Sequence, residues 1–300
     1  MSAQLSSRDI ARRFSRYLGK LEKTLGHADR AAPFRAYVTG LLMPGERKSV
    51  EPMAARLAPD RVRAMHQAMH HFVATSPWSD DALMEQVRET VLPSIEKHGA
   101  ITSWIIDDTG IPKKGKHSVG VSHQYCGQLG KQANCQVAVS LSIANTFASL
   151  PIAYGLYLPQ IWIDDLEKRK ACGVPEDLAF ATKPQISLQQ IRNAIAAGIP
   201  PGVVIADAAY GDDTAFRDAL TALGVSYAVC IKGTTTVWRP GDAPLEPQQR
   251  RGKRGPVAMR LARTAEQHPI SGLTQHSYHQ GPSEGRLSRQ SARRASISSS

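Results

Sequence analysis

Two short apolar runs that each lead into aspartate constrain this chain more than any other feature. Ile101-Thr-Ser-Trp-Ile-Ile-Asp107 and Val203-Val-Ile-Ala-Asp207 are rich in β-branched residues and too short for stable helices, so both read as strands. Further strands are predicted near Val119–Gln124, Gln136–Ile143, Ile152–Leu158 and Val225–Ile231. A helix carrying Leu188, Ile191 and Ile195 is predicted to start at a Ser187 cap and to stop at Gly198 and the Pro200-Pro201 pair. A second helix, carrying Phe216, Leu220 and Leu223, starts near Asp213. Strands first, then strand–helix–strand alternation, predict an α/β core with a mixed sheet and helices on its faces.

The flanks differ in texture. Residues 1–100 read as a helical region, with apolar stripes at Ile10, Phe14, Tyr17, Leu18, Leu21 and Leu25, at Val62, Met65, Met69 and Phe72, and at Leu83, Val87 and Val91. Ser7 and Asp60 are the expected caps of the first two stripes. The Ser49–Leu57 segment, its Ala58-Pro59-Asp60 turn and the next helix have the length of a DNA-binding helix-turn-helix, although short helix pairs are common and ordinary helical packing is the favoured reading. The core is expected over 101–238. Residues 239–300, rich in Pro, Gly, Gln, Ser and Arg, are expected to form a basic, disordered tail.

The formal charge of +11 favours a polyanionic partner, nucleic acid before a membrane surface. Ten basic and four acidic residues in 241–300 account for about half of that excess. The chain has no apolar run long enough for a transmembrane helix and no signal-peptide core, so membrane partners are not expected. Its four cysteines form no C-x-x-C and are too sparse for a disulfide scaffold, which points to the reducing cytoplasm.

Chemistry is most plausible at the acidic strand ends. Carboxylates of Asp107, Asp108 and Asp207, at the C-terminal ends of neighbouring parallel strands, can converge over the sheet edge. Hard oxygen ligands suit Mg²⁺ or Mn²⁺, and two such ions can drive phosphodiester cleavage. Turn formation or helix capping is the competing account of the same aspartates. Lys113, Lys114 and Lys116 follow at once and read as phosphate-backbone contacts or as a solvated turn. The surrounding Gly110-Ile-Pro-Lys-Lys-Gly-Lys116-His117 fails as a nucleotide-binding loop, because His117 replaces the hydroxyl residue and a strand, not a helix, follows. His117, His123, Cys126 and Cys135 lack regular zinc-ligand spacing, His70-His71 reads as surface or packing, and no G-x-S-x-G supports a serine hydrolase.

The run Ile105-Ile-Asp-Asp-Thr-Gly-Ile-Pro-Lys-Lys-Gly-Lys-His-Ser-Val-Gly-Val121 resembles the first catalytic block of DDE-superfamily insertion-sequence transposases. Ser122 to Gln136 and Val204-Ile-Ala-Asp-Ala-Ala-Tyr-Gly211 are similar to later blocks, and Gly40 to Val50 with Ser76-Pro-Trp78 to the helical region upstream. The resemblance covers roughly residues 35–245. It implies an RNase H-like fold, an Asp-Asp-Glu triad holding two Mg²⁺ or Mn²⁺ ions, and DNA, both element ends and target, as partner; a homodimer is a further expectation. By position the second triad member falls on Asp207. The first falls on the Asp107-Asp108 pair, and Asp108, directly before Thr109, is preferred, since adjacent strand residues face opposite sides.

In this family the third carboxylate lies on a late helix. After Asp207 the acids are Asp212, Asp213, Asp218, Asp242, Glu246, Glu266 and Glu284, and none sits on an apolar helix of that kind. The expectation is therefore a frameshifted or truncated copy. Two functions follow: a transposase by descent that cleaves and joins DNA, incomplete in this chain, or a catalytically inactive DNA-binding remnant that inhibits an intact transposase.

Overall fold

In the computed structural model, residues 6–238 and 269–271 are described. The chain divides between Ala100 and Ile101 into two compact units.

The first unit is helical. Helix α1 (Ser7–Leu21) is capped by Ser6, whose hydroxyl accepts from Asp9 N at 3.2 Å, so the cap lies one residue before the expected Ser7. Then come α2 (Ala31–Leu42), α3 (Val50–Leu57), α4 (Val62–Ala74) and α5 (Asp80–Glu96), the last capped by Ser79. The apolar stripe of α1 gathers Leu18, Leu21 and Leu25 around Phe34 and Phe72, with Phe14, Tyr17 and Trp78 against them. A second cluster (Met53, Ala54, Met69) joins α3 to α4. The helix pair predicted there exists, but Asp60 does not cap α4. It falls inside a 3-10 turn, Pro59–Arg61, that Pro59 initiates, and α4 starts without a side-chain cap.

The second unit is built on a six-stranded mixed sheet. Its elements run β1 (Ser103–Pro112), β2 (Ser122–Cys126), β3 (Lys131–Ala144), β4 (Ser149–Tyr157), α6 (Gln160–Ile163), α7 (Leu166–Ala171), α8 (Lys183–Ala196), β5 (Val203–Ala206), α9 (Ala208–Gly211), α10 (Thr214–Ala222) and β6 (Tyr227–Val229). The order β2-β3-β1-β5-β6, with β4 also on β3, gives the RNase H-like mixed sheet with flanking helices that the resemblance implied. β1 is antiparallel to β3 and parallel to β5, and β5 is parallel to β6. A separate pair joins β7 (Thr236–Val237) to β8 (Ile270–Ser271). The rest of the predicted tail, 239–268 and 272–300, lies outside the described residues.

Alternation along β3 buries Cys135, Val137, Val139, Leu141 and Ile143 almost completely. Helix α8 covers this sheet with Leu188, Ile191 and Ala194, and Gln190 Nε2 donates to Val139 O at 3.0 Å. The helix begins earlier than expected. Thr182 is the cap, reciprocated by Gln185 in a capping box, with Pro184 in the first turn. Ser187 is buried one turn inside and returns its hydroxyl to Pro184 O at 2.8 Å.

Candidate active site

β5 pairs with β1 only from Ser103↔Val203 to Ile105↔Ile205, and then ends at Ala206. β1 does not end at Asp107 as its apolar run suggested. It continues to Pro112, because β3 pairs with it as far as Pro112↔Cys135. What stops is the parallel neighbour. Asp107 and Asp108 therefore lie on β1 beyond the C-terminal end of β5, the edge where open α/β sheets place their sites. A cavity of about 450 Å³ lined by Thr102, Trp104, Ile199 and Val225 lies at the opposite end of these strands and contains no ionisable residue.

The pleat separates the two aspartates. Asp108 shares a face with buried Trp104, Ile106 and Gly110, and is itself half-buried; Asp107 lies on the other face and is exposed. Asp107 Oδ1 accepts from the Asp108 backbone N–H at 2.7 Å. Asp108 has two partners from distant elements. Lys183, the first residue of α8, donates to its Oδ2, and Tyr210 donates its hydroxyl to Oδ1.

Asp207 follows β5 directly and caps α9, accepting from Ala209 N at 2.9 Å. That one-turn helix presents Tyr210, which is 1% exposed. Burial raises the Tyr210 phenol far above its usual range, and the hydrogen bond to Asp108 and the charges of Asp108, Asp207 and Asp107 push the same way. The Tyr210 hydroxyl thus stays protonated and serves as a donor to Asp108, with the negative charge of Asp207 and Asp107 adding to the effect.

Lys113, Lys114 and Lys116 occupy the turn after β1. Asn134 pins that turn: its Nδ2 donates to Lys113 O at 2.8 Å and to Gly115 O at 2.9 Å, while Lys113 N donates to Asn134 O. Lys114 and Lys116 are exposed and Lys113 is half-buried, and among the described residues none of the three forms an ion pair. Sequence reasoning missed Lys183, Tyr210 and Asn134. Tyr210 stood in the recognised Asp-Ala-Ala-Tyr run, and Asn134 in the block before Gln136. Lys183 carried no signal, since a lysine in the first turn of a helix is ordinarily solvated.

The described acids after Asp207 are committed elsewhere or exposed. Asp212 accepts from Lys232 N at 3.0 Å and from Thr235 Oγ1 at 2.8 Å, and pairs with Lys232 Nζ at 3.2 Å. Burial works to raise its carboxyl, but these partners outweigh it and hold Asp212 below the usual carboxylate range. Asp213 caps α10 through Phe216 N, as expected, and Asp218 is exposed on that helix. Asp242, Glu246, Glu266 and Glu284 lie outside the described residues.

The donor set tests the implied metal. Asp108 and Asp207 carry hard carboxylate oxygens of the kind Mg²⁺ and Mn²⁺ take, and the Lys183 ammonium is paired with Asp108. Two carboxylates match the donor chemistry of one Mg²⁺ or Mn²⁺ ion, which keeps several waters. They do not make the two-ion centre of the expected triad: among the described residues no three His, Cys, Asp or Glu side chains are grouped to hold a metal. His117, His123, Cys126 and Cys135 likewise form no zinc site there. Cys126 and Cys135 are buried with Val137 in an apolar cluster. No described helix is long and apolar enough to cross a membrane.

The probable transposase for insertion sequence element IS701 of Microchaete diplosiphon is similar to this chain, 29% identical over 200 residues. The match takes in 66% of this chain and 48% of that relative, so it spans about half of the relative's length. The DDE superfamily endonuclease family is matched over residues 20–297. With that match over most of its length and the acidic strand ends of its mixed sheet, the chain belongs to the DDE superfamily endonucleases.

Proposed function

We propose that this protein is a DNA transposase of the DDE type, which cleaves phosphodiesters at element ends and joins the freed 3′-hydroxyl to target DNA. The observation that carries the reading is the hydrogen bond from Tyr210, on the short helix that Asp207 caps, to Asp108 on β1, at the C-terminal edge of the parallel strands. Members of this superfamily use divalent metals. Asp108 and Asp207 would hold Mg²⁺ or Mn²⁺, which when bound stabilises charge developing on phosphoryl oxygens.

The chain's own residues set up that edge. Tyr210 fixes one Asp108 oxygen through a hydrogen bond that burial keeps protonated, and Lys183 neutralises the other. Asp207 is held in place by its capping bond. Lys114 and Lys116, exposed on the turn pinned by Asn134, supply positive charge for the DNA backbone, with Lys113 beside them. The cytoplasm, where DNA is accessible, is the compartment this reading requires.

The test is nicking of supercoiled plasmid in Mg²⁺ or Mn²⁺, comparing wild type with Asp108→Ala and Asp207→Ala. Nicking that survives both substitutions overturns the assignment. A second reading, DNA binding without cleavage, is favoured by the lack of a third acid grouped with Asp108 and Asp207 among the described residues. It predicts salt-sensitive DNA binding and no nicking by wild type, which in a cell would block element ends against an intact transposase.

A further inference from the structure

Helix α1 carries Arg8, Arg12, Arg16 and Lys20 four residues apart, all exposed, with exposed Arg13 beside them. At 1.5 Å and 100° per residue the four form a slowly winding ladder about 18 Å long with steps of about 6 Å. The opposite face of the helix is the apolar stripe, packed by Phe14, Tyr17, Leu18 and Leu21 against Phe34 and Phe72. The helix is therefore fixed in rotation, with its cations outward.

Counter-charge is scarce. Asp9 is the one acid within α1; it lies 3.8 Å from Arg12 and already accepts from the Ser6 hydroxyl. Glu22, at the end of the helix, is taken up by Arg35 of α2, which also reaches Ser15. Among the described residues no carboxylate pairs with Arg8, Arg13, Arg16 or Lys20. A row of like charges at i,i+4 spacing disfavours the isolated helix, and a polyanion with evenly spaced charges relieves that repulsion. Arg8, Arg12, Arg13 and Arg16 also precede the span that matches the family, which starts at residue 20.

We propose that this face of α1 is a docking surface for duplex DNA, laid along backbone phosphates and reading no bases. The proposal rests on the DNA-acting function above but uses none of its site residues. An anionic membrane is the weaker fit: an amphipathic helix binds lipid through its apolar face, and here that face is buried in the core of its own unit.

The experiment compares three full-length proteins: wild type, a ladder variant (Arg8, Arg12, Arg16 and Lys20→Gln) and a control (Arg47, Lys97, Lys170 and Arg192→Gln) that removes as many exposed cations elsewhere in the chain. Gln keeps helix propensity, and thermal melting verifies the fold. Affinity for a random-sequence duplex is measured from 50 to 200 mM salt, and binding to phosphatidylserine vesicles in parallel. We expect the plot of log affinity against log salt to flatten by about 3–4 in the ladder variant, at about 0.9 per lost phosphate contact, and the control to stay near wild type. An unchanged ladder slope, an equal loss in the control, or a loss confined to vesicle binding overturns the proposal. Failure of the parent reading looks different: wild type itself then shows no salt-dependent DNA binding.

Discussion

Tyr210 donates its hydroxyl to Asp108, a residue 102 positions earlier in the chain, and so ties the helix capped by Asp207 to the strand that carries Asp108. The two acidic blocks are separate in sequence and meet through this phenol. Hydrogen bonds to charged groups contribute about 1.5–3 kcal/mol, so Tyr210→Phe is expected to lower unfolding free energy by about that amount. Urea denaturation checks it. A midpoint and slope equal to wild type would mean that the bond does not hold the site together.

Asp207 has two separable tasks. Its carboxylate caps α9, and its charge is the one proposed to hold the metal. Asn caps as well as Asp, whereas Ala loses about 1 kcal/mol. Asp207→Asn should therefore match wild type in thermal stability yet lose Mn²⁺-dependent nicking, and Asp207→Ala should lose both. Nicking by the Asn variant at the wild-type rate would leave Asp207 only the structural role.

The turn lysines should act on affinity rather than fold. Lys114 and Lys116 are exposed on a turn held by Asn134, whose bonds go to backbone oxygens and not to the lysine side chains. Replacing Lys113, Lys114 and Lys116 with Ala should leave the melting temperature unchanged and reduce the salt slope of DNA binding by about 2–3. An unchanged slope removes them from the interface.

What the sequence disclosed followed from local rules. β-branched runs located β1 and β5, and alternation marked Asp107 and Asp108 as facing opposite sides. The polar residues after Ile106 read as a strand end, whereas pairing with the long β3 carries β1 on to Pro112. Ser187 resembles a cap, whereas the Thr182–Gln185 box with Pro184 starts α8 further upstream. Lys183 was illegible for a physical reason. Its partner, Asp108, is 75 residues away, and nothing local to Thr182-Lys-Pro-Gln announces a carboxylate across the sheet.

Asp212 gives a pH dependence whose sign is fixed. Its carboxyl is held below the usual range by Lys232 and Thr235, so the folded state favours the ionised form. The resulting stability is fully present above the unfolded pKa near ~3.9 and is lost as pH falls through the lower folded value. Amide exchange at Lys232 and Thr235 should therefore accelerate below about pH 4. Asp212→Asn should show the faster exchange already at pH 7. Exchange in wild type that is flat from pH 6 to pH 3, after correction for the intrinsic rate, would sever this link.

Gly211 sets how closely α9 approaches β6. A Cβ there would lie 1.8 Å from the Cys230 carbonyl oxygen and 3.0 Å from Val229 Cβ, and a backbone oxygen cannot swing aside as a side chain would. Gly211→Ala must push the helix off the strand end, moving the adjacent Tyr210 away from Asp108. Overpacking of this kind costs about 1–3 kcal/mol, and here it also displaces the proposed site, so stability and nicking should fall together. Gly115, in the lysine turn, has nothing within 4 Å of a built Cβ. Gly115→Ala should stay within about 0.5 kcal/mol of wild type. If chemical denaturation found the two variants equally stable, the close packing of α9 on the end of β6 would not exist in solution, and the route by which Tyr210 reaches Asp108 would go with it.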